Sequence, residues 1–321
     1  MLKRPRAASL PATSGNAGLC FVPRTACKGL ATVAETASFL DRHHFLLRRL
    51  HSLTGIVPIG VFLVAHLTTN SSILWGKVGL RADGHGMGLT EGGVTYFQKE
   101  VEWINTQIPH LLLIELVLWI SIAFHSALGV VYARQAKNNL NRYPHQDNWR
   151  YALQRFSGYF GILFIFYHVA TLRWGWSFLV PPFDGSVPWS HNFASSTLAA
   201  SLRGSWEEFT IWGLLVSLFY FVGVTLLVFH FANGLWTAAI TWGITVSTAA
   251  QKRWGVACFG LGAGLMIAGW SSVVGFAMLN PLEAKKYEMK FHEKHGNDVA
   301  PLVIPGLSPA ANPATSAVTV P

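Results

Sequence analysis

The sequence predicts an all-α membrane protein with five transmembrane helices, four of which form a bundle. Of its 321 residues, 51% are hydrophobic and only 12% are charged, whereas soluble domains have about 25% charged residues. Five stretches are long and apolar enough to cross a bilayer, which takes roughly 20 residues. Four of these stretches carry one histidine well inside the apolar run, and these four are expected to form the bundle.

The predicted spans cover residues 51–74, 109–133, 155–173, 209–251 and 255–279. The second span contains one carboxylate, Glu115. The fourth stays uncharged for so long that its helix is expected to continue beyond the membrane as an exposed segment. Pro281 is expected to stop the fifth, because proline cannot continue a helix.

These spans divide the chain into three parts. They are an N-terminal extension at 1–44, a transmembrane domain at 45–281 and a C-terminal extracytoplasmic tail at 282–321. The extension has no apolar run of signal-peptide length, so we expect it to stay on the chain in the cytoplasm. Its Arg- and Ala-containing, acid-poor composition is also typical of a transit peptide, which is the alternative. The end of the tail is rich in Pro, Ala and Thr, which is typical of flexible segments.

Loop charges orient the spans. The N-terminal segment, the connection between spans two and three and the link before span five together hold 15 basic and three acidic residues, whereas the other side holds nine basic and 11 acidic residues. By the positive-inside rule, the N-terminus is cytoplasmic and the C-terminus lies outside. A basic patch beyond span five opposes this orientation, but five spans require it to lie outside: Lys285, Lys286, Lys290 and Lys294.

The four membrane histidines are His66, His125, His168 and His230. Ionisable groups inside a membrane are costly and usually functional. A rise of about 1.5 Å per residue, applied to helices of alternating direction, places His66 and His168 in an outer layer and His125 and His230 in an inner one. Two imidazoles per layer suit two haems with axial histidines, His66 pairing with His168 and His125 with His230.

Neighbouring residues are compatible with that interpretation. Ser157 and Gly161 share a helix face with His168, and Gly55 shares one with His66. Small residues leave room for a flat macrocycle, and they equally permit close helix packing. No Cys-x-x-Cys-His motif occurs, so the haems would be non-covalent and b-type. The competing interpretation is that the histidines only form interhelical hydrogen bonds.

Several separated motifs then occur in a fixed order. They are RRLHSLTG at 48–55, HL at 66–67, FH at 124–125, AKNN at 136–139, YH at 167–168, FHFANGLW at 229–236 and TWGIT at 241–245. Together they resemble the cytochrome b558 subunit of bacterial succinate:menaquinone reductases. The resemblance covers roughly residues 45–277 and leaves out the loops around 76–107 and 174–206.

The resemblance implies a dihaem membrane anchor in the bacterial cytoplasmic (inner) membrane, with His66, His125, His168 and His230 as axial ligands. Its partners would be a flavoprotein carrying FAD, an iron–sulfur subunit on the cytoplasmic face, quinone and membrane lipid, with no nucleic acid. Succinate would be oxidised in the flavoprotein, and electrons would pass through the iron–sulfur clusters, the inner haem and the outer haem to menaquinone.

The resemblance also suggests further site residues. His51 matches a family histidine that is not an axial ligand, and it is expected to meet a haem propionate together with Arg49 or Ser52. The alternative role for His51 is that of an interfacial residue at the helix entry. In related fumarate reductases a glutamate precedes the fourth-span ligand by two residues. Val228 stands there in this chain, which disfavours such a proton pathway and favours succinate oxidation.

Menaquinone is expected to bind near the outer haem, where its reduction requires protons. Glu115 lies about 9 Å into span two by helix rise, and Glu100 and Glu102 precede that span. Any of the three could relay a proton. Each could equally be an interfacial acid that caps or solvates a helix end.

Other functions remain open at this point. One is a fumarate reductase anchor running in reverse, and another is the cytochrome b subunit of a formate dehydrogenase, hydrogenase or nitrate reductase. A third hypothesis, from a different functional class, is a transporter or proton channel whose histidines form a proton relay. Only the cytochromes would absorb visible light.

Overall fold

The computed structural model describes residues 39–81, 89–108, 111–136, 146–300 and 302–305. These residues form helices and contain no strand, which confirms the all-α class. The predicted extension at 1–44 lies outside the described residues except for its last six, and so does the end of the tail beyond 305. The chain divides into the units Met1–Leu46 and Leu47–Pro321, and every contact below lies within the second.

The helices are α1 Phe39–Arg42, α2 His44–Ile56, α3 Pro58–Arg81, α4 Leu89–Gln107, α5 Leu111–Gln135, α6 Gln146–Leu172, α7 Ala194–Arg203, α8 Ile211–Thr241, α9 Thr248–Met278 and α10 Pro281–His295. A short 3-10 turn at Ser177–Leu179 follows α6. Helices α2 and α3 almost join, since Val57 still donates to the Leu53 carbonyl at 2.9 Å. Pro58 marks the junction because it has no N–H to donate.

In the described part of the chain, four helical segments are long and apolar enough to cross a membrane: His44–Gly76, Leu111–Gln135, Ile211–Thr241 and Thr248–Met278. Helix α6 holds the remaining predicted span but is not among them. Polar residues such as Ser157, Tyr159 and His168 interrupt its apolar sequence. Exposed apolar faces accompany the spans, with Leu112 on α5 79% exposed and Phe259 on α9 76% exposed, as expected for side chains that face lipid.

Neighbouring helices run antiparallel, so the bundle has two distinct ends. At one end, Arg173 just after α6 contacts Glu115 near the start of α5. At the other end, Arg150 near the start of α6 contacts Asn233 near the end of α8. Helices α4, α7 and α10 pack on each other and on the bundle at the first of these ends. We call it the capped end and the opposite one the open end.

The capped end holds the largest buried core of the described residues. Helix α7 contributes a continuously buried stretch, residues 194–202. The core joins side chains from seven helices: Ile73, Val94, Phe97, Phe164, Ala194, Leu198, Ala199, Leu202, Val216, Tyr220, Val273, Phe276, Leu279 and Ala284. The described parts of the two loops and the start of the tail, which fell outside the sequence resemblance, therefore fold into a packed cap.

The helix of the fourth predicted span is shorter than its uncharged run, although its 31 residues still exceed the roughly 20 that a bilayer crossing needs. Helix α8 ends at Thr241, and Gly243 follows with a φ of +72°. The Gly243 and Ile244 amides donate back to the carbonyls of Ile240 and Ala239, the pattern that closes a helix with glycine in the left-handed conformation. Ser247 then caps α9 by accepting from the Ala250 amide. Hydropathy shows only that this stretch lacks charge, whereas the turn depends on one glycine.

The predicted stop of the fifth span is confirmed. Helix α9 ends at Met278, and Pro281 occupies the first turn of α10. The Asn280 side chain accepts hydrogen bonds from the Leu282 and Glu283 amides at 3.0 and 3.1 Å, so it caps α10. The C-terminal part therefore begins with a packed helix.

Candidate functional site

The structure brings together the same histidine pairs that helical spacing predicts. The ring centres of His66 and His168 lie 5.7 Å apart with ring planes at 85°. Those of His125 and His230 lie 6.1 Å apart at 79°. Each pair joins two different helices, α3 with α6 and α5 with α8.

The two pairs form separate layers. On α6, Ser157 lies 3.1 Å from Nδ1 of His230, and His168 follows eleven residues later. Eleven residues of helix rise about 16 Å. His66 and His168 therefore form a capped-end layer, and His125 and His230 form an open-end layer.

The spacing within each layer fits one metal atom between two imidazoles. Metal–imidazole nitrogen bonds are about 2 Å long, and two such bonds in line, with about 1 Å from each nitrogen to its ring centre, separate the ring centres by about 6 Å. The described residues contain no group of three or more metal-binding side chains. A haem iron needs only two protein ligands, because the porphyrin supplies the other four.

Backbone carbonyls orient both histidines of the open-end layer. Nδ1 of His125 lies 2.9 Å from the His51 carbonyl oxygen, and Nδ1 of His230 lies 3.1 Å from that of Gln154. When Nδ1–H donates in this way, Nε2 carries the free lone pair that a metal needs. Metal-binding histidines commonly have such a partner on the other nitrogen.

Aromatic rings surround the capped-end layer instead. Phe62 stacks on His66 at 5.2 Å, and Phe164 stacks on His168 at 5.9 Å. Within the described residues, Nδ1 of His168 has no hydrogen-bond partner. Asn70 lies 3.5 Å from Nδ1 of His66 and donates to the His66 carbonyl at 2.8 Å. Packing, rather than interhelical hydrogen bonding, holds these rings.

His51 joins the open-end layer. Its ring stacks on His125 with centres 4.0 Å apart and planes at 10°. Ser52 donates to the Arg48 carbonyl in its own helix, and the Arg49 guanidinium lies 5.5 Å from the centre of the Trp242 ring. The predicted propionate role of His51, Arg49 and Ser52 stays a prediction.

Two glycines let the open-end histidines approach the neighbouring helices. A Cβ on Gly55 would lie 2.5 Å from Cε1 of His125, and one on Gly158 would lie 3.2 Å from Cε1 of His230. Spacing placed Gly55 on the face of His66, and the ring that it contacts is that of His125. No larger residue fits at Gly55 without displacing the His125 ring.

The three predicted carboxylates lie at the capped end in different surroundings. Glu115 forms a two-point ion pair with Arg173, at 3.0 and 3.1 Å. Glu102 accepts from the Asn297 side chain at 2.9 Å. Burial raises the pKa of the Glu100 carboxyl, and the Ser72 hydroxyl opposes part of that shift. Their proposed role in proton transfer stays a prediction.

Sequence reasoning missed a polar network beside His230. Arg150, Gln154 and Asn233 link α6 to α8 there. Asn233 stands in the FHFANGLW motif, but spacing within α8 does not indicate that its amide contacts α6. Val228 is fully buried against Leu67 and Leu265, in an apolar environment.

The comparisons with known proteins identify the family. No protein family model matches the chain, and no solved structure matches it. The chain is 30% identical to the succinate dehydrogenase cytochrome b558 subunit of Bacillus subtilis (strain 168) over 209 residues, which cover 65% of this chain and 85% of that relative. On the strength of this likeness, the chain belongs to the succinate dehydrogenase cytochrome b558 subunit family.

Proposed function

We propose that this chain is the dihaem membrane anchor of a succinate:menaquinone oxidoreductase in the bacterial cytoplasmic membrane. The observation that carries the proposal is the pairing of four histidines at ring-centre distances of 5.7 and 6.1 Å. His66 and His168 would hold one b-type haem, and His125 and His230 the other. Each haem, when bound, would accept and donate one electron at a time.

Two histidines holding each haem would favour electron transfer, because they would leave no open position on the iron for oxygen or substrate. The protein side of the mechanism is therefore to fix the imidazoles and to exclude water from them. The carbonyls of His51 and Gln154 fix the open-end rings by hydrogen bonding, and the rings of Phe62 and Phe164 pack against the capped-end rings.

The proposed topology has five spans, with α6 as the third, the N-terminus in the cytoplasm and the C-terminus outside. The open end would then face the cytoplasm. Its arginines, such as Arg48, Arg49 and Arg155, would lie near the docking site of the iron–sulfur subunit. FAD and the iron–sulfur clusters would belong to the partner subunits, and this chain would hold no succinate site.

Menaquinone would bind at the capped end. The Glu115–Arg173 ion pair links α5 to the end of α6, and Arg173 follows His168 by five residues. The Arg173 side chain remains 64% exposed and that of Glu115 28% exposed. In this proposal, Glu115 would exchange a proton between water and a quinone oxygen.

A reduced-minus-oxidised absorbance spectrum of the purified chain, with haem counted per polypeptide, tests the proposal. We expect b-type bands and two haems per chain. A colourless protein would instead favour a histidine-based transporter or proton channel. Co-purification with a flavoprotein and succinate-dependent menaquinone reduction would separate a succinate dehydrogenase from other respiratory cytochromes.

A further inference from the structure

A chain of side-chain amides links α6 to the candidate ligand on α8. Arg150 donates to Oδ1 of Asn233 from Nε at 3.1 Å and from Nη2 at 2.7 Å. Nδ2 of Asn233 donates to Oε1 of Gln154 at 2.8 Å. Nε2 of Gln154 then donates to the His230 carbonyl oxygen at 3.1 Å.

The chemistry of the network fixes its direction. A guanidinium has only donors, so the atom of Asn233 that faces Arg150 must be the oxygen. The Asn233 nitrogen is then left for Gln154, which must present its own oxygen and direct its nitrogen to the His230 carbonyl. Each amide therefore has one orientation that satisfies both of its neighbours.

Gln154 contacts His230 from two directions. Its side chain donates to the His230 backbone, and its backbone carbonyl lies 3.1 Å from Nδ1 of the His230 ring. Ser157 also donates to that carbonyl at 3.0 Å. Gln154 thus contacts both the backbone and the ring of His230, and the Ser157 hydroxyl lies 3.1 Å from the same ring nitrogen.

The far end of the network is anchored as well. The Arg150 guanidinium lies 4.3 Å from the centre of the Trp236 ring, and the Trp236 indole donates to the Gln251 carbonyl at 3.1 Å. Asn233 itself is only 5% exposed. Loss of its side chain would remove a hydrogen-bond partner from the Arg150 guanidinium on one side and from Oε1 of Gln154 on the other, which is costly for partly buried groups.

We propose that Asn233, through Gln154, positions His230 and thereby sets the electronic properties of the haem in the open-end layer. The inference rests on the proposed dihaem function. A hydrogen bond from Nδ1–H raises the basicity of a ligating imidazole, and loss of such a partner typically weakens metal binding by about 10- to 100-fold. A more basic ligand favours the oxidised iron, so a weaker hydrogen bond raises the reduction potential. Asn233 is a positioning residue, since it touches neither the iron nor a substrate.

The test is a potentiometric titration of the purified full-length chain, followed by its haem absorbance. In Asn233→Ala, we expect the potential of one haem to rise while that of the other stays unchanged. We also expect the first haem to transfer to an apo-haem protein about 10- to 100-fold faster than in the original chain. Asn233→Asp keeps the contact with Arg150 but cannot donate to Gln154, so it should show the same shift with less loss of stability.

Gln135→Ala is the matched control. This exposed amide ends α5 at the same end of the bundle, so both potentials should stay unchanged. Unchanged potentials in both Asn233 variants, or equal shifts of both haems, would overturn the positioning role while leaving the dihaem proposal intact. A haem-free original chain would overturn the proposed function itself.

Discussion

The two histidine layers are built on different principles. In the open-end layer, carbonyls from neighbouring helices accept from both rings, at 2.9 and 3.1 Å. In the capped-end layer, Phe62 and Phe164 stack on the rings. A hydrogen bond orients a ring because the bond has a preferred direction, whereas aromatic packing orients a ring by limiting the space that it can occupy.

The difference affects how each layer should tolerate change. The open-end layer depends on a few polar groups and on two glycines, so single substitutions should act on it sharply. The capped-end layer is continuous with a large core through Phe164 and Tyr220. It should respond more gradually, because packing contacts are individually weak and collectively strong.

The largest expected effect comes from removal of a ligand. In His230→Ala, the open-end haem should be lost and haem per chain should fall from two to about one. In His168→Ala, the capped-end haem should be lost to the same extent, because each iron would lose one of its two protein ligands. Pyridine haemochrome assays of the purified variants measure this. Full haem content in either variant would rule out that histidine as a ligand.

A smaller but selective effect should follow from filling the space at Gly55. In Gly55→Ala, the new methyl carbon would lie 2.5 Å from Cε1 of His125, so the ring must shift. Overpacking of this kind costs about 1–3 kcal/mol, and it should weaken the open-end haem alone. Gly264→Ala on α9 is the control, since a Cβ there meets no atom within 4 Å. Equal haem retention in the two variants would show that the approach at Gly55 is unimportant.

Local patterns predicted much of this architecture. The helical class, the positions of the histidines and their pairing follow from apolar length and helix rise, which depend on near neighbours in the sequence. Prediction of the histidine pairs required only helix rise and alternating helix direction. It did not require knowledge of which helix faces are in contact.

The features that were missed depend on those meeting faces. Gly55 shares a face with His66 by spacing, yet it contacts His125 because α5 packs there. Asn233 acts on His230 through Gln154, which is 79 residues away in the sequence. Arg173 appeared only as the charge that ends a span, whereas it pairs with Glu115 across 58 residues. No periodicity within one segment encodes such contacts.

The cap was missed for a related reason. Its helices are too short or too polar to register as spans, and their apolar residues are buried only when α4, α7 and α10 meet. The sequence patterns therefore predicted loops between the spans and a C-terminal tail for these segments.

The two layers should also differ in function, because menaquinone is proposed to bind only at the capped end. In Glu115→Gln, menaquinone reduction should slow by about tenfold or more, as expected when a proton-transfer group is removed. Both haems should remain and should still be reduced by succinate in the complex. Glu207→Gln, an exposed carboxylate between α7 and α8, is the control. Normal quinone reduction in Glu115→Gln would remove this residue from the mechanism.

The smallest effect concerns the cap beside the capped-end layer. Glu288 on α10 is fully buried and accepts from the Ser195 amide at 2.7 Å and the Ser196 hydroxyl at 2.6 Å. Burial raises the pKa of the Glu288 carboxyl to about 7, and these hydrogen bonds oppose part of the shift. Lys285 and His292 are the other titratable groups on the same face of α10.

The sign of the pH dependence follows from that pKa. Because the folded value lies above the ordinary value of 4.5, stability is greatest below about pH 4.5 and falls as pH rises from there to about 7, by up to about 3 kcal/mol in total. Hydrogen-exchange protection of α7 and α10 should therefore be lower at pH 8 than at pH 5.5. In Glu288→Gln this difference should shrink, because an uncharged amide keeps an acceptor oxygen without the cost of burying a charge. Glu283→Gln, whose carboxylate is exposed, should behave like the original chain. An undiminished pH dependence in Glu288→Gln would mean that other groups govern the cap.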